Sequence, residues 1–238
     1  MPPQIAAHHD FPSVTRTRAF GLPFVQTPRE VVYLAVMSRY IDLRDPPLKR
    51  QRYCEGGTER HFTEAAVMVA FAMHLLEGGA KAVDLHPGGE HGKRHDLKAS
   101  LEPHGFEHVS RRGTTKYGGI YSRGKQTVTV TLKPGLGDVV ARLGEKMVVA
   151  ECKGGVVNSR NAGQLSRLRR GMCEAVGLLI ARPLKDERHV AVVPATDITR
   201  TVANRMLPRA TAACIEIALG GEEGDVRFVQ RVGGNTHQ

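Results

Sequence analysis

The 238-residue chain has no tryptophan, and aromatic residues make up only 5% of it, so exposed rings that stack single-stranded bases are not expected as its main recognition device. Long apolar runs are missing too. The longest, Ala65 to Leu76, is interrupted by His74 and falls short of the roughly 20 residues that a bilayer-crossing helix needs. No basic-then-apolar leader opens the chain, which starts Met1-Pro2-Pro3-Gln4, and the expectation is a cytoplasmic protein. Cys54, Cys152, Cys173 and Cys214 stand far apart with no CxxC pair. That spacing argues against both a zinc ribbon and a disulfide framework, and leaves four buried thiols as the expectation.

What the chain has in excess is positive charge: 34 Lys and Arg against 24 Asp and Glu, a net charge of +10. Such a surface draws polyanions, because each neutralised phosphate releases condensed counterions, and nucleic acid is the first partner to consider; solubility alone is the plainer account. The 41% of hydrophobic residues is that of an ordinary globular protein, and the length suits one substantial α/β domain with an N-terminal extension.

Residues 1 to 26 lack periodicity and read as an arm. Thr27-Pro28-Arg29-Glu30 resembles a helix start, with Thr27 as N-cap, and Val31 to Val36 carry that helix toward Ile41. Residues 1–55 are therefore taken as arm and helix, and 56–238 as the main domain. Phe62 to Leu76 predicts a core helix stopped by Gly78-Gly79. A short apolar piece, Ala82 to Leu85, leads into a loop from His86 to Asp96 with three histidines, Glu90, Lys93, Arg94 and three glycines; it matches no zinc spacing and suits phosphate binding or substrate closure. Gln126 to Leu132 alternates as a strand. Further on, Arg160 to Arg182 predicts a helix, His189 to Val193 a strand, Asp197 to Met206 a helix, and Ala213 to Leu219 and Val226 to Val232 strands.

The chemistry is concentrated between Gly137 and Gly155. Two apolar runs flank Gly144-Glu145, and glycine at the first central position suits a two-residue type II′ turn. If Leu143 faces Lys146, then Arg142 faces Met147, Val140 faces Val149, and Asp138 falls opposite Glu151. Directly opposed side chains have Cβ atoms roughly 4.5–5.5 Å apart, so two like charges there destabilise the sheet unless a cation compensates. Alternation sends Lys153 to the face of Glu151 and turns the Cys152 side chain away, leaving only its backbone carbonyl near the acids. Phosphodiester hydrolysis needs this grouping: the anionic phosphate must be neutralised, hydroxide generated near neutral pH, and the leaving oxygen stabilised. Mg²⁺ suits such oxygen ligands, held by Asp138, Glu151 and the Cys152 carbonyl, while Lys153 orients or deprotonates water.

Asp138, a spacer of twelve residues and Glu151-Cys152-Lys153 together resemble the PD-(D/E)XK nuclease motif, with Gly137 where the motif has proline. The resemblance spans residues 137 to 180 and a plausible leading helix. It implies an α/β fold of restriction-endonuclease-like type, with an αβββαβ core and a central mixed β-sheet flanked by helices. It also implies a Mg²⁺ (or Mn²⁺) dependent deoxyribonuclease, an endonuclease of a defence, mobile-element or repair system. Glu64 is a further candidate metal ligand, although an acid in a helix's first turn also suits the helix dipole. Gln164 resembles the glutamine that some exonuclease-like branches carry after the lysine; the tyrosine expected farther along is missing. Arg160, Arg167 and Arg170 are candidate phosphate contacts on one helical face. Lys49, Arg50 and Arg52 form a smaller basic cluster. An RNA substrate, a homodimer, an activating partner protein, and a binding module without turnover all stay open.

Overall fold

The computed structural model describes residues 40–88, 95–183 and 186–230, so the N-terminal arm, the helix expected from Thr27, the centre of the His86 to Asp96 loop and the end of the strand expected to reach Val232 lie outside the described residues. The chain enters through strand β1 (Ile41–Arg44), so the end expected for that helix near Ile41 falls in a strand. A single-turn helix α1 (Leu48–Gln51) and strand β2 (Glu59–Phe62) follow. β2 pairs antiparallel with β1, and Cys54 bridges to Ser159.

Helix α2 (Glu64–Glu77) starts one residue after the strand ends. Thr63 caps it by accepting the Ala66 N–H, and nearly every residue from Ala65 to Leu76 is buried, as the all-round apolar sequence demands. β3 (Ala82–Leu85) leads to the short helix α3 (Leu97–Leu101) and an excursion of three strands, β4 (Glu107–Arg111), β5 (Gly119–Arg123) and β6 (Gln126–Val130). β7 (Val139–Leu143) and β8 (Lys146–Cys152) form the hairpin that the sequence specifies. Leu143 faces Lys146, Arg142 faces Met147 and Val140 faces Val149. Gly144 turns with φ +63 while Glu145 keeps a negative φ, the pattern of a type II′ turn.

After the two-residue strand β9 (Gly155–Val156), which joins β2, come helix α4 (Ala162–Ile180), β10 (Glu187–Pro194), helix α5 (Asp197–Ala212), β11 (Ile215–Gly220) and β12 (Val226–Phe228). α5 does not stop at Met206: it carries Pro208 within it and runs to Ala212, while Thr196 and Thr199 close a capping box at its start. Nine strands make one mixed sheet in the order β12-β11-β10-β8-β7-β3-β6-β5-β4. One face buries α2 against Val83, Leu85, Val128, Val148, Ala150 and Val190. The other buries Met172, Ala175 and Leu179 of α4 and Ala203 and Ala210 of α5 against Ala191, Val193, Ile215 and Ile217. Helices thus cover both faces of a mixed sheet, an α/β fold. Among the described residues no helix is long and apolar enough to cross a membrane.

All four cysteines are free, but only Cys54 and Cys152 are buried. Cys173 and Cys214 are exposed, contrary to the expectation of four buried thiols, because α4 turns Cys173 outward between its core positions Met172 and Ala175, and Cys214 lies in the connection before β11.

Candidate active site

The hairpin ladder ends at Val139 and Ala150, so Asp138 and Glu151 form the next pair beyond it. Asp138 is bound to the sheet twice: its carbonyl accepts the His86 N–H at 2.8 Å and its Oδ2 accepts the Cys152 N–H at 2.8 Å. Gly137 fits because the backbone presses against β8 there; a Cβ would stand 2.8 Å from the Ala150 oxygen. Burial pushes the Asp138 carboxyl up to about 7, against the pull of the Cys152 N–H, and Glu151 and Glu64 add to the rise. The Cys152 side chain points into the opposite core, as alternation requires, and offers the acids only its backbone.

Glu151 shares the α4 face of the sheet with Ala191, its partner in register. It is 6% exposed, and Arg182, just past the end of α4, donates to its Oε1 at 2.6 Å. Removing the guanidinium leaves a buried carboxylate without its cation. The Arg182→Ala protein is therefore expected to lose about 2 kcal/mol of stability in urea unfolding near pH 8, less than a fully buried pair because Arg182 is partly exposed.

Lys153 lies between two helices. Its Nζ is 3.4 Å from Glu64 Oε2 at the start of α2 and 3.1 Å from Glu174 Oε1 on α4. Burial pushes its ammonium down, but Glu64, Glu174 and Asp138 outweigh this and hold it above the usual value, so it stays charged. Two glycines let the elements meet. A Cβ on Gly171 would stand 3.2 Å from the Lys153 Cβ, and one on Gly154 would stand 2.4 Å from the Glu64 nitrogen and 2.5 Å from the Phe62 oxygen. Since backbone cannot yield as a side-chain tip does, Gly154→Ala is expected to cost about 1–3 kcal/mol in thermal or urea unfolding and to part Glu64 from Lys153. A cleft of about 230 Å³ opens beside this junction, lined by Arg44, His61, Thr63, Glu64, His95 and the Gly154-Gly155 backbone.

The structure thus joins Glu64 to Lys153 and keeps Asp138 and Glu151 adjacent. Gln164 is buried on α4 two turns before Gly171, about 10 Å along the axis, and among the described residues no hydrogen bond joins its side chain to these groups. Arg167 and Arg170 are exposed on α4, while Arg160 precedes the helix and its N–H donates to the Tyr53 carbonyl. Arg188 is tied to Glu216. Arg50 of the smaller basic cluster pairs with the buried Glu59. Sequence reasoning missed Glu174 and the role of Arg182. Glu174 follows Gly171 by three positions, hence on the same helical face, but which α4 residue meets Lys153 depends on a helix–sheet docking that no local pattern specifies.

Among the described residues no group of three or more His, Cys, Asp and Glu side chains is arranged to hold a metal ion. The candidate donors are instead two carboxylates and a backbone carbonyl, hard oxygen ligands of the sparse kind that Mg²⁺ accepts because it retains waters. Two adjacent acids, one of them held near neutrality by burial, fit such a cation. The chain matches no known family model, no curated protein and no solved structure.

Proposed function

We propose that the chain is a Mg²⁺-dependent nuclease that hydrolyses DNA phosphodiester bonds, of the restriction-endonuclease-like kind its motif resembles. The observation that carries this reading is the meeting of Lys153 with Glu64 beside Asp138 and Glu151, at one end of a hairpin in mid-sheet. The order α2, β3, β7, β8, α4, β10, with β7 antiparallel to its neighbours β3 and β8 and with β8 parallel to β10, supports it, since it is the αβββαβ succession expected of that core with β4 to β6 inserted.

Asp138 and Glu151 are the side chains that would hold the cation. When bound, such an ion neutralises phosphate charge and acidifies a water. Lys153, kept charged by its acidic neighbours, holds the scissile phosphate and orients the attacking water and does not remove its proton. Glu64 and Glu174 position that ammonium.

Arg182 favours a second reading, a nucleic-acid-binding module without turnover, because it already neutralises Glu151. Incubating supercoiled plasmid, linear duplex and single-stranded DNA with Mg²⁺, Mn²⁺ or EDTA separates the two. Cutting that needs the metal supports the nuclease; binding without cutting under any metal supports the module.

A further inference from the structure

The pairing registers align one row of residues across six strands: Arg111, Gly119, Val130, Leu85, Val139 and Ala150. The β4–β5 connection therefore leaves the sheet at the end where Asp138, Glu151 and Lys153 lie. From β8 to β4 there are five strand spacings, about 24 Å at about 4.8 Å each. This excursion has a distinct composition: between Glu107 and Asp138 there is no acidic residue, while Arg111, Arg112, Lys116, Arg123, Lys125 and Lys133 are basic.

Arg111 at the end of β4 and Arg112 and Lys116 on the β4–β5 connection are exposed, and Lys133 is exposed between them and the site, its carbonyl 2.9 Å from the His86 ring nitrogen. Among the described residues none of the four makes an ion pair. On the far side of Lys153, the first half of α4 runs past the end of the sheet, since Gly171 already abuts Lys153. That half carries exposed Arg167, Arg169 and Arg170, likewise without ion pairs among the described residues. The candidate site thus lies within a row of cations.

We propose that this sheet end is a track for the backbone of duplex DNA, gripped on one side by the β4–β5 connection and Lys133 and on the other by the start of α4. This deepens the nuclease reading by naming its substrate as duplex, and is tested by binding alone. The span of about 24 Å matches about seven base pairs at 3.4 Å each. No aromatic residue is exposed among the described residues, so a single strand finds no stacking platform, whereas a duplex, whose bases are already stacked, needs only phosphate contacts.

The test is fluorescence anisotropy in EDTA, with a duplex of about 20 base pairs, the matching single strand and the matching duplex RNA, over a salt series around 0.1 M. The site-end triple variant Arg111→Ala/Arg112→Ala/Lys116→Ala is compared with Lys81→Ala/Lys125→Ala/Arg142→Ala, which removes the same charge from the opposite end of the sheet. The site-end triple is expected to weaken duplex binding at least about tenfold and to flatten the dependence of log K on log salt by about 2 to 3, with the far-end triple close to the parent. Equal effects of the two triples overturn the proposal, as does binding of single-stranded DNA or duplex RNA as tight as that of duplex DNA. Because no turnover is needed, a protein that never cuts DNA fails the nuclease reading and leaves this contrast to be measured on its own.

Discussion

Lys153→Ala is expected to slow metal-dependent duplex cutting by about a thousandfold or more while changing duplex affinity in EDTA by less than about threefold, since removing one preorganised charge from a water-poor site costs about 10²–10³ and here the group also orients the nucleophile. Gel assays of plasmid nicking alongside anisotropy measure both. The reason for the split is structural. Lys153 is one cation among many near the sheet end, so it adds little to attraction, yet it is the one held between Glu64 and Glu174 beside Asp138. Cutting that survives in Lys153→Ala would move the chemistry elsewhere.

The second large effect runs opposite in sign. Asp138→Asn is expected to abolish cutting and to make the metal-free protein more stable at pH 8. Burial first, then Glu151 and Glu64, raise the Asp138 carboxyl from 3.8 to about 7. A raised carboxyl binds its proton more tightly when folded. The stability it contributes is thus fully present below about 3.8, falls as pH rises from there to about 7, and stays lost above. At about 1.4 kcal/mol per unit the penalty at pH 8 approaches about 4 kcal/mol; partial exposure reduces it, and about 2 kcal/mol is the expected gain for asparagine, whose carbonyl can still accept the Cys152 N–H. Melts in EDTA at pH 8 and pH 4 check it: the variant melts higher at pH 8, and the gap nearly closes at pH 4. Mg²⁺ should raise the melting temperature of the parent at pH 8 and not that of the variant.

The hairpin was legible because Gly144-Glu145 between two apolar runs places the turn, and the register counted from it carries Asp138 toward Glu151. α2 was legible from its nearly all-round apolar sequence and the Gly78-Gly79 stop, and its first acid, Glu64, was already a candidate for the site. What local pattern could not supply was the partner of each strand. β3 pairs with β7 and also with β6, which makes the β4–β6 excursion continuous with the strands of the site and carries it from there to the edge of the sheet. Likewise the sequence marks Arg182 only as the end of the expected helix Arg160 to Arg182; its reach to Glu151 follows from how α4 lies on the sheet. The helix expected to end at Met206 continues through Pro208 to Ala212.

β8 is a central strand whose neighbours flank it in the sequence at unequal distances: β7 immediately precedes it, while β10 is reached only after the whole of α4. The Lys153 N–H is itself closed by the Val192 carbonyl of β10. During synthesis, then, the two acids and the lysine leave the ribosome before the strand that secures them. A growing chain has every group its proposed chemistry needs but no rigid place for it until β10 has docked, so on the nuclease proposal cleavage competence would arrive late, with long-range pairing of the kind that slows folding in general.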